Sequence, residues 1–515
     1  MIGRRRFLEV LAALGVSQTL PSRATDRKVS FDSYPFTLGI ASGYPTPDGF
    51  VLWTRLAPRP LEPGGGLVPQ PVPMRWEVAE DERFAKVIAS RAEFPTHDWA
   101  HSVHAEVTGL APDRWYFYRF LAGDAVSPVG RTRTAPRAGA PAARLRVAVA
   151  SCQQYEQGYY GAYRHVAADA PDLVAFLGDY IYESSWGRDF VRSHASAEPY
   201  TLEDYRARYA LYRSDPDLQA AHAACPWIVT WDDHEVDNDY ADDRPEDGME
   251  REPFLARRAA AYRAYYEHMP LPPRMRLEGP DMHIYTHLDW GALARFYILD
   301  TRQYRSWQAC PRPQRRGGSN TVDIERCVRL AAPERSMLGR AQERWLQRSL
   351  GESHRAWNVI AQTTPMAQFD TKPGPGRRAW TDGWDGYPAA RRRLLEPLST
   401  VSNPIVLGGD VHSFNASQLK LDFDDPASPV VASEFVTTSI TSQAWSQERL
   451  NQYLPDNPHI LLADSRFRGY TRVDISPARL QADLRAMESV QRPDAPCSTL
   501  ASFVVDDGIP GPVRA

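Results

Sequence analysis

No stretch of the sequence approaches the roughly 18 continuous apolar residues that a membrane span requires, so no span is expected anywhere in its 515 residues. Net charge is almost absent as well: 60 Lys and Arg stand against 64 Asp and Glu, a formal balance of −4. Without a positive excess, the sequence-independent attraction to phosphate backbones that marks nucleic-acid binders is missing, although a locally positive pocket remains open. Neither an internal repeat nor a long low-complexity tract occurs. A composition of 43% hydrophobic and 24% charged residues removes intrinsic disorder as a class. Cysteine is sparse, at five residues, whereas proline (43), tyrosine (24) and tryptophan (14) are plentiful, which suggests many turns and aromatic-anchored loops. At roughly 100 to 200 residues per domain, the length holds two or three domains with sizeable cores.

Residues 1–24 are best kept out of the fold. Arg4-Arg5-Arg6-Phe7-Leu8, the short apolar run Val10 to Val16 and the stretch Pro21-Ser22-Arg23-Ala24 resemble a twin-arginine export signal. The plainer alternative is a basic, frayed amphipathic terminus. Export implies an oxidising compartment, periplasmic or secreted, and the cysteines fit it. Cys310 and Cys327 bracket a Pro-, Gly- and Arg-rich segment in which little core could form, so a disulfide there would restrain a loose loop. Cys225 and Cys497 are a second candidate pair, while Cys152 stands apart at a strand end.

Two periodicities divide the rest. Over residues 30–135, short runs such as Phe50 to Leu56, Met74 to Val78 and Ser102 to Val107 read as strands. The segment Gly109 to Phe120 resembles the tyrosine-corner strand of fibronectin-type sandwiches, and a small β-sandwich is expected. Thr132 to Ala143 reads as a linker. Over 144–488 apolar strands alternate with helices: Leu145 to Ala150, Leu173 to Leu177, Trp227 to Thr230, Ala294 to Leu299, Trp357 to Ala361 and Pro404 to Leu407 are strands, with helices at Leu202 to Tyr212, Phe254 to His268 and Met337 to Leu350. This is α/β grammar. Residues 489–515 are left as a tail that either covers the site or frays.

The chemistry lies where those strands stop. Successive runs end in Ser151-Cys152-Gln153, Gly178-Asp179-Tyr180-Ile181-Tyr182-Glu183, Asp232-Asp233-His234-Glu235, Gln362-Thr363 and Gly408-Gly409-Asp410-Val411-His412-Ser413. In layered α/β folds the carboxyl ends of adjacent strands share one edge of the sheet, so ligands distant in sequence converge there. A single Gly-Asp is usually a turn or a cap and a single Cys usually a core residue. Five such endings together are a different matter, and they point to a metal centre.

In order, these motifs with Trp231 to Asn238, Leu299 to Arg305, Trp384 to Tyr387 and Glu434 to Ser442 resemble the PhoD-type alkaline phosphatases and phosphodiesterases, a branch of the metallophosphoesterases related to purple acid phosphatases. The resemblance runs from Pro35 to about Met487. It implies a metallophosphoesterase-like α/β sandwich preceded by a fibronectin-like β-sandwich, with a ferric ion (Fe3+) and calcium (Ca2+) at the site. Carried over residue by residue, Cys152, Asp179, Tyr182 and His412 would hold iron, with Asp179 bridging to calcium. Phenolate and thiolate ligands at neutral pH suit a strong Lewis acid. Asp410 would face the calcium, whose preference for oxygen suits carboxylates and amides. Among Asp233, Asn238 and Gln362 the choice of further calcium ligands stays open. His234 is the candidate proton donor or phosphate ligand, and Ser439 and Ser442 are expected to shape the backbone.

The expectation is thus an exported hydrolase of phosphate mono- or diesters that uses a metal-activated water. Its partners would be a phosphate-ester substrate, a phospholipid or teichoic-type diester among the options, and the twin-arginine machinery, with no stable nucleic-acid complex. Oligomeric state stays open. A phospholipase D-like phosphodiesterase is the alternative within enzymes and a non-catalytic surface-binding protein the alternative outside them. An intracellular nuclease is disfavoured by the export signal and the absence of a basic groove.

Overall fold

A computed structural model describes residues 30–515, so the expected signal at 1–24 lies outside the described residues. The strands expected from uninterrupted apolar runs are the centre of the molecule. Leu173–Leu177, Trp227–Thr230, Ala294–Ile298, Trp357–Ala361 and Pro404–Gly408 are buried at every residue, as parallel strands covered on both faces must be. They fall into two sheets. In the larger, Leu145–Ala150, Leu173–Leu177 and Trp227–Thr230 run parallel side by side. In the smaller, Ala294–Ile298, Trp357–Ala361, Pro404–Gly408 and Val430–Val436 do the same.

One hydrophobic core joins the sheets, with Val147, Val149 and Val174 of the first packed among Phe296, Val359, Leu407 and Phe435 of the second. Helices close the outer faces. On the larger sheet these include Leu202–Arg213, opened by a Thr201–Asp204 capping box, and Arg251–His268. Over the smaller sheet Gly339–Gly351 and Pro388–Leu398 cover a second core. Bonds between the sheets put their carboxyl ends at one edge: Thr230 Oγ1 donates to the Leu299 carbonyl at 2.8 Å and Thr437 Oγ1 to the Val149 carbonyl at 3.1 Å.

The N-terminal sandwich is present, but it is not a separate bead. Ile40–Thr46, Gly49–Arg55 and Ser102–Val107 form one of its layers and also extend the larger sheet, through a parallel bridge between Gly43 and Trp227. Gly43 is required there, since a Cβ would meet the carbonyl oxygens of Pro270 and Trp227 at 2.6 and 2.7 Å. The other layer comprises Met74–Ala79, Val87–Glu93, Trp115–Ala122 and Gly130–Arg133. Its Trp76, Tyr118 and Phe120 share a core with Leu52, Val103, Ala105 and Val107 of the first layer. The tyrosine corner is there: Tyr116 Oη donates to the Ala111 carbonyl at 3.1 Å, at the foot of its strand.

Three further expectations are corrected. Thr132 and Arg133 belong to a strand, so the connection between the two parts begins only after them. Residues 489–515 are neither a lid nor a frayed end, because Cys497–Asp506 pairs antiparallel with Arg479–Met487 and extends the larger sheet. Its alternating pattern buries Ala501, Phe503 and Val505, a period-two signal that the proline-rich flanks obscure. Cys310 and Cys327 are disulfide-bonded, but Cys225 and Cys497 are free. Four strands separate their positions in the sheet, and at about 4.8 Å per strand that is far beyond disulfide reach.

Candidate active site

Each strand end turns sharply, and the turns carry the chemistry. Cys152, Asp179, Asp410 and His412 adopt left-handed φ values of 58°, 59°, 68° and 56°. For non-glycine residues that conformation is uncommon and costs on the order of 1 kcal/mol each. The glycines beside them permit close approach: a Cβ on Gly178 would lie 2.6 Å from Asp232 Cβ, and one on Gly409 would lie 2.5 Å from Ser151 Oγ.

The turns bring Cys152, Asp179 and His412 together, with one potential ligand atom from each within 4.8 Å of the others. Tyr182 completes the group, its Oη 2.9 Å from Asp179 Oδ2 and 3.2 Å from His412 Nε2. His412 Nδ1 lies 2.5 Å from the Gln443 carbonyl. That contact requires a proton on Nδ1 and leaves Nε2 as a free lone pair facing the cluster. Ser442 Oγ sits 2.8 Å from both Tyr182 Oη and the Cys152 carbonyl, and Ser439 Oγ donates to the Ser442 carbonyl.

A second group shares Asp179. Ligand atoms of Asp179, Asp233 and His234 also lie within 4.8 Å of one another. His234 Nδ1 is 2.7 Å from Glu183 Oε2, and its ring lies 4.1 Å from that of Tyr182. Burial works against charge on this imidazole, but Glu183, Asp233 and Asp179 outweigh it and hold the ring protonated well above the usual histidine range. Burial likewise opposes ionisation of Glu183, yet His234 draws it down to about 2. At Asp179 and Asp410 burial wins, reinforced by neighbouring carboxylates, and both are pushed well above the ordinary range.

Those shifts describe carboxylates whose burial the nearby cations, His234 for Asp179 and Arg302 for Asp410, do not offset. Asp179 Oδ1 and Asp410 Oδ2 are buried with no hydrogen-bond partner in the protein. Leaving such oxygens bare is costly, and a cation removes the cost. The donor set of thiolate, phenolate, imidazole and carboxylates therefore fits metal ions.

The remaining expected residues divide. Asn238 lines the acidic cavity of about 540 Å³ with Asp233 and Asp410, its Nδ2 donating to Glu246 at 2.7 Å. Gln362 does not line it. Its Oε1 accepts from Trp384 Nε1 and from Thr364 N, both at 3.1 Å, and its Nε2 donates to the Thr364 carbonyl. Both of its amide atoms are thus engaged at its own strand end, outside the lining of the acidic cavity.

Several residues at the site have roles that the sequence alone does not assign. Glu235 accepts from Asp179 N at 3.0 Å, Tyr180 N at 2.6 Å and Asp232 N at 2.8 Å, lacing two loops together. Arg302 bonds Asp232 at 2.5 Å and Asp382 at 2.8 Å, and Arg305 bonds Asp382 at 2.7 Å. Asp239 joins Asp233 and Asp382 in a third acidic group. Arg302 and Arg305 stand in a motif that ends a strand, a signal that could have found them; Asp382 has none.

A two-sheet α/β sandwich that gathers these donors at its strand ends has the arrangement of a candidate metal centre. The family model described as PhoD-like phosphatase matches residues 147–484, and the one for its N-terminal domain matches residues 22–136. Alkaline phosphatase D of Bacillus subtilis (strain 168) is 46% identical over 520 residues, covering 97% of this chain and 87% of that protein. A solved structure of PhoD superposes with a TM-score of 0.90 at 47% identity, covering 95% of this chain and 93% of that one. The chain belongs to the PhoD-like phosphatase family, and it is a phosphatase.

Proposed function

We propose that the protein is an exported phosphatase/phosphodiesterase that hydrolyses phosphate mono- or diesters at a centre of iron and calcium. The observation that carries the reading is that Asp179 belongs to two ligand groups at once. We assign Cys152, Asp179, Tyr182 and His412 to a ferric ion, and Asp179, Asp233, Asn238 and Asp410 to calcium. Such ions, when bound, neutralise charge on the phosphoryl oxygens and lower the pKa of an attacking water. The chain's own groups supply the rest. His234, held charged by Glu183, offers Nε2–H to a phosphoryl oxygen or a proton to the departing alkoxide. Close packing against the tilted Tyr182 ring restricts the imidazole's rotation. Export is supported by the resemblance of Arg4 to Leu8 and the run after it to a twin-arginine signal.

Elemental analysis of the exported protein, with phosphate release from a monoester and a diester measured in parallel, tests the reading. Iron and calcium in active protein are expected. A fully active enzyme containing only zinc would reject the metal assignment, and selective calcium chelation should abolish turnover until calcium is restored.

A further inference from the structure

Beside the acidic cavity lies a second one, of about 330 Å³, which shares Trp186, Trp380, Asp410 and His412 with it. Its far wall is apolar, formed by Phe369, Trp445, Leu450, Ile460 and Ala463. Trp186 stands at the junction, its ring parallel to that of His412 at 5.8 Å. Phosphoryl chemistry needs no such wall. Most acidic and amide groups beyond the junction are already engaged: Glu434 accepts from Met366 N and Ala367 N, Asp385 from Arg391 and Phe369 N, and Asn415 Oδ1 from Ser413 Oγ, which leaves Asn415 Nδ2 and the Thr364 hydroxyl among the few groups still open. A polyol entering here would give up water and gain few partners, at a cost that each buried hydroxyl repeats.

We propose that this cavity receives the organic group of the ester, and that it selects phosphate esters of a short alkyl or aryl alcohol over those of polyols. The inference rests on the phosphatase reading. A phosphate anchored near Asp179 and His412 would project its ester oxygen past Trp186 into the apolar space, because the two cavities meet at Trp186 and His412. The volume lies at the low end of the roughly 300–1,000 Å³ typical of ligand pockets. It has room for one short chain or one ring and not for a pair of long acyl chains, which also weighs against diacylglycerol as the group held.

The test uses the metal-loaded full chain and n-alkyl phosphates from methyl to hexyl, whose leaving alcohols differ little in acidity. With kcat/KM as the readout, a rise of about three- to fourfold per methylene is expected until the cavity fills, and propyl phosphate should exceed glycerol phosphate. Ala463→Phe, which fills the cavity, and Trp445→Ala, which opens a half-exposed wall, should each lower the hexyl-to-methyl ratio at least fivefold. The ratio cancels any loss of folded protein. A flat series in the unaltered protein, or an unchanged ratio in both variants, overturns the inference while the phosphatase reading stands. Failure to release phosphate from every ester, methyl phosphate included, overturns both.

Discussion

Tyr182 and Cys152 differ from the other site residues in the colour they would give a metal. Phenolate or thiolate bound to ferric iron produces a visible charge-transfer band, so Tyr182→Phe should shift or weaken that band while the far-ultraviolet circular dichroism stays unchanged. A second prediction concerns Glu434, fully buried and raised by that burial to about 7. Its folded value lies above its unfolded one, so the stability it contributes is present below about pH 4.5 and is lost as pH rises toward 7. The loss is on the order of 3 kcal/mol. Glu434→Gln should flatten the dependence of the denaturation midpoint on pH across that window, whatever its offset at a single pH. An equally steep slope in the variant would show that another group is responsible. At this scale the clustering of candidate ligands is legible because Asp, Cys, Tyr and His follow apolar runs. What they hydrogen-bond is not: nothing in Gln-Thr-Thr announces that the Gln362 amide folds back on Thr364.

Strand ends form the next level. Gly178 has φ +90° and stands against Asp232, so Gly178→Ala forces either the backbone or the Asp232 loop to move. The expected cost is about 2 to 4 kcal/mol in chemical denaturation, with a lowered metal content in the protein that still folds. Full metal content at unchanged stability would mean the turn is more compliant than its contacts imply. Strands such as Trp227–Thr230 are readable because burial on both faces leaves an unbroken apolar run. Gly469–Ile475 and Arg479–Met487 are not, since each carries charged residues between its buried ones: Arg472 and Asp483 pair with each other across the two strands at 2.5 Å.

Across the whole molecule, the C-terminal strand makes a further prediction. Removing residues 489–515 uncovers Leu480, Leu484 and their neighbours, which Phe503 and Val505 help to bury. Loss of several buried side chains at about 1.5 to 3 kcal/mol each should leave the chain insoluble or strongly destabilised in thermal melts. A truncated enzyme that is soluble and faster than the full chain would instead give the segment a covering role. The two periodicities are legible in the sequence; their fusion through Gly43 and Trp227 is not, because a single parallel bridge leaves no pattern in either strand.

The placement of Gly469–Ile475 beside Leu145–Ala150 also has a consequence for biosynthesis. On the ribosome, Leu145–Ala150 emerges early, and Leu173–Leu177 soon covers one of its edges. The other edge waits with unpaired backbone groups until nearly the whole polypeptide has been made. Nascent chains are therefore open to strand-to-strand aggregation for most of translation, and the yield of folded enzyme should depend on chaperones that shield that edge.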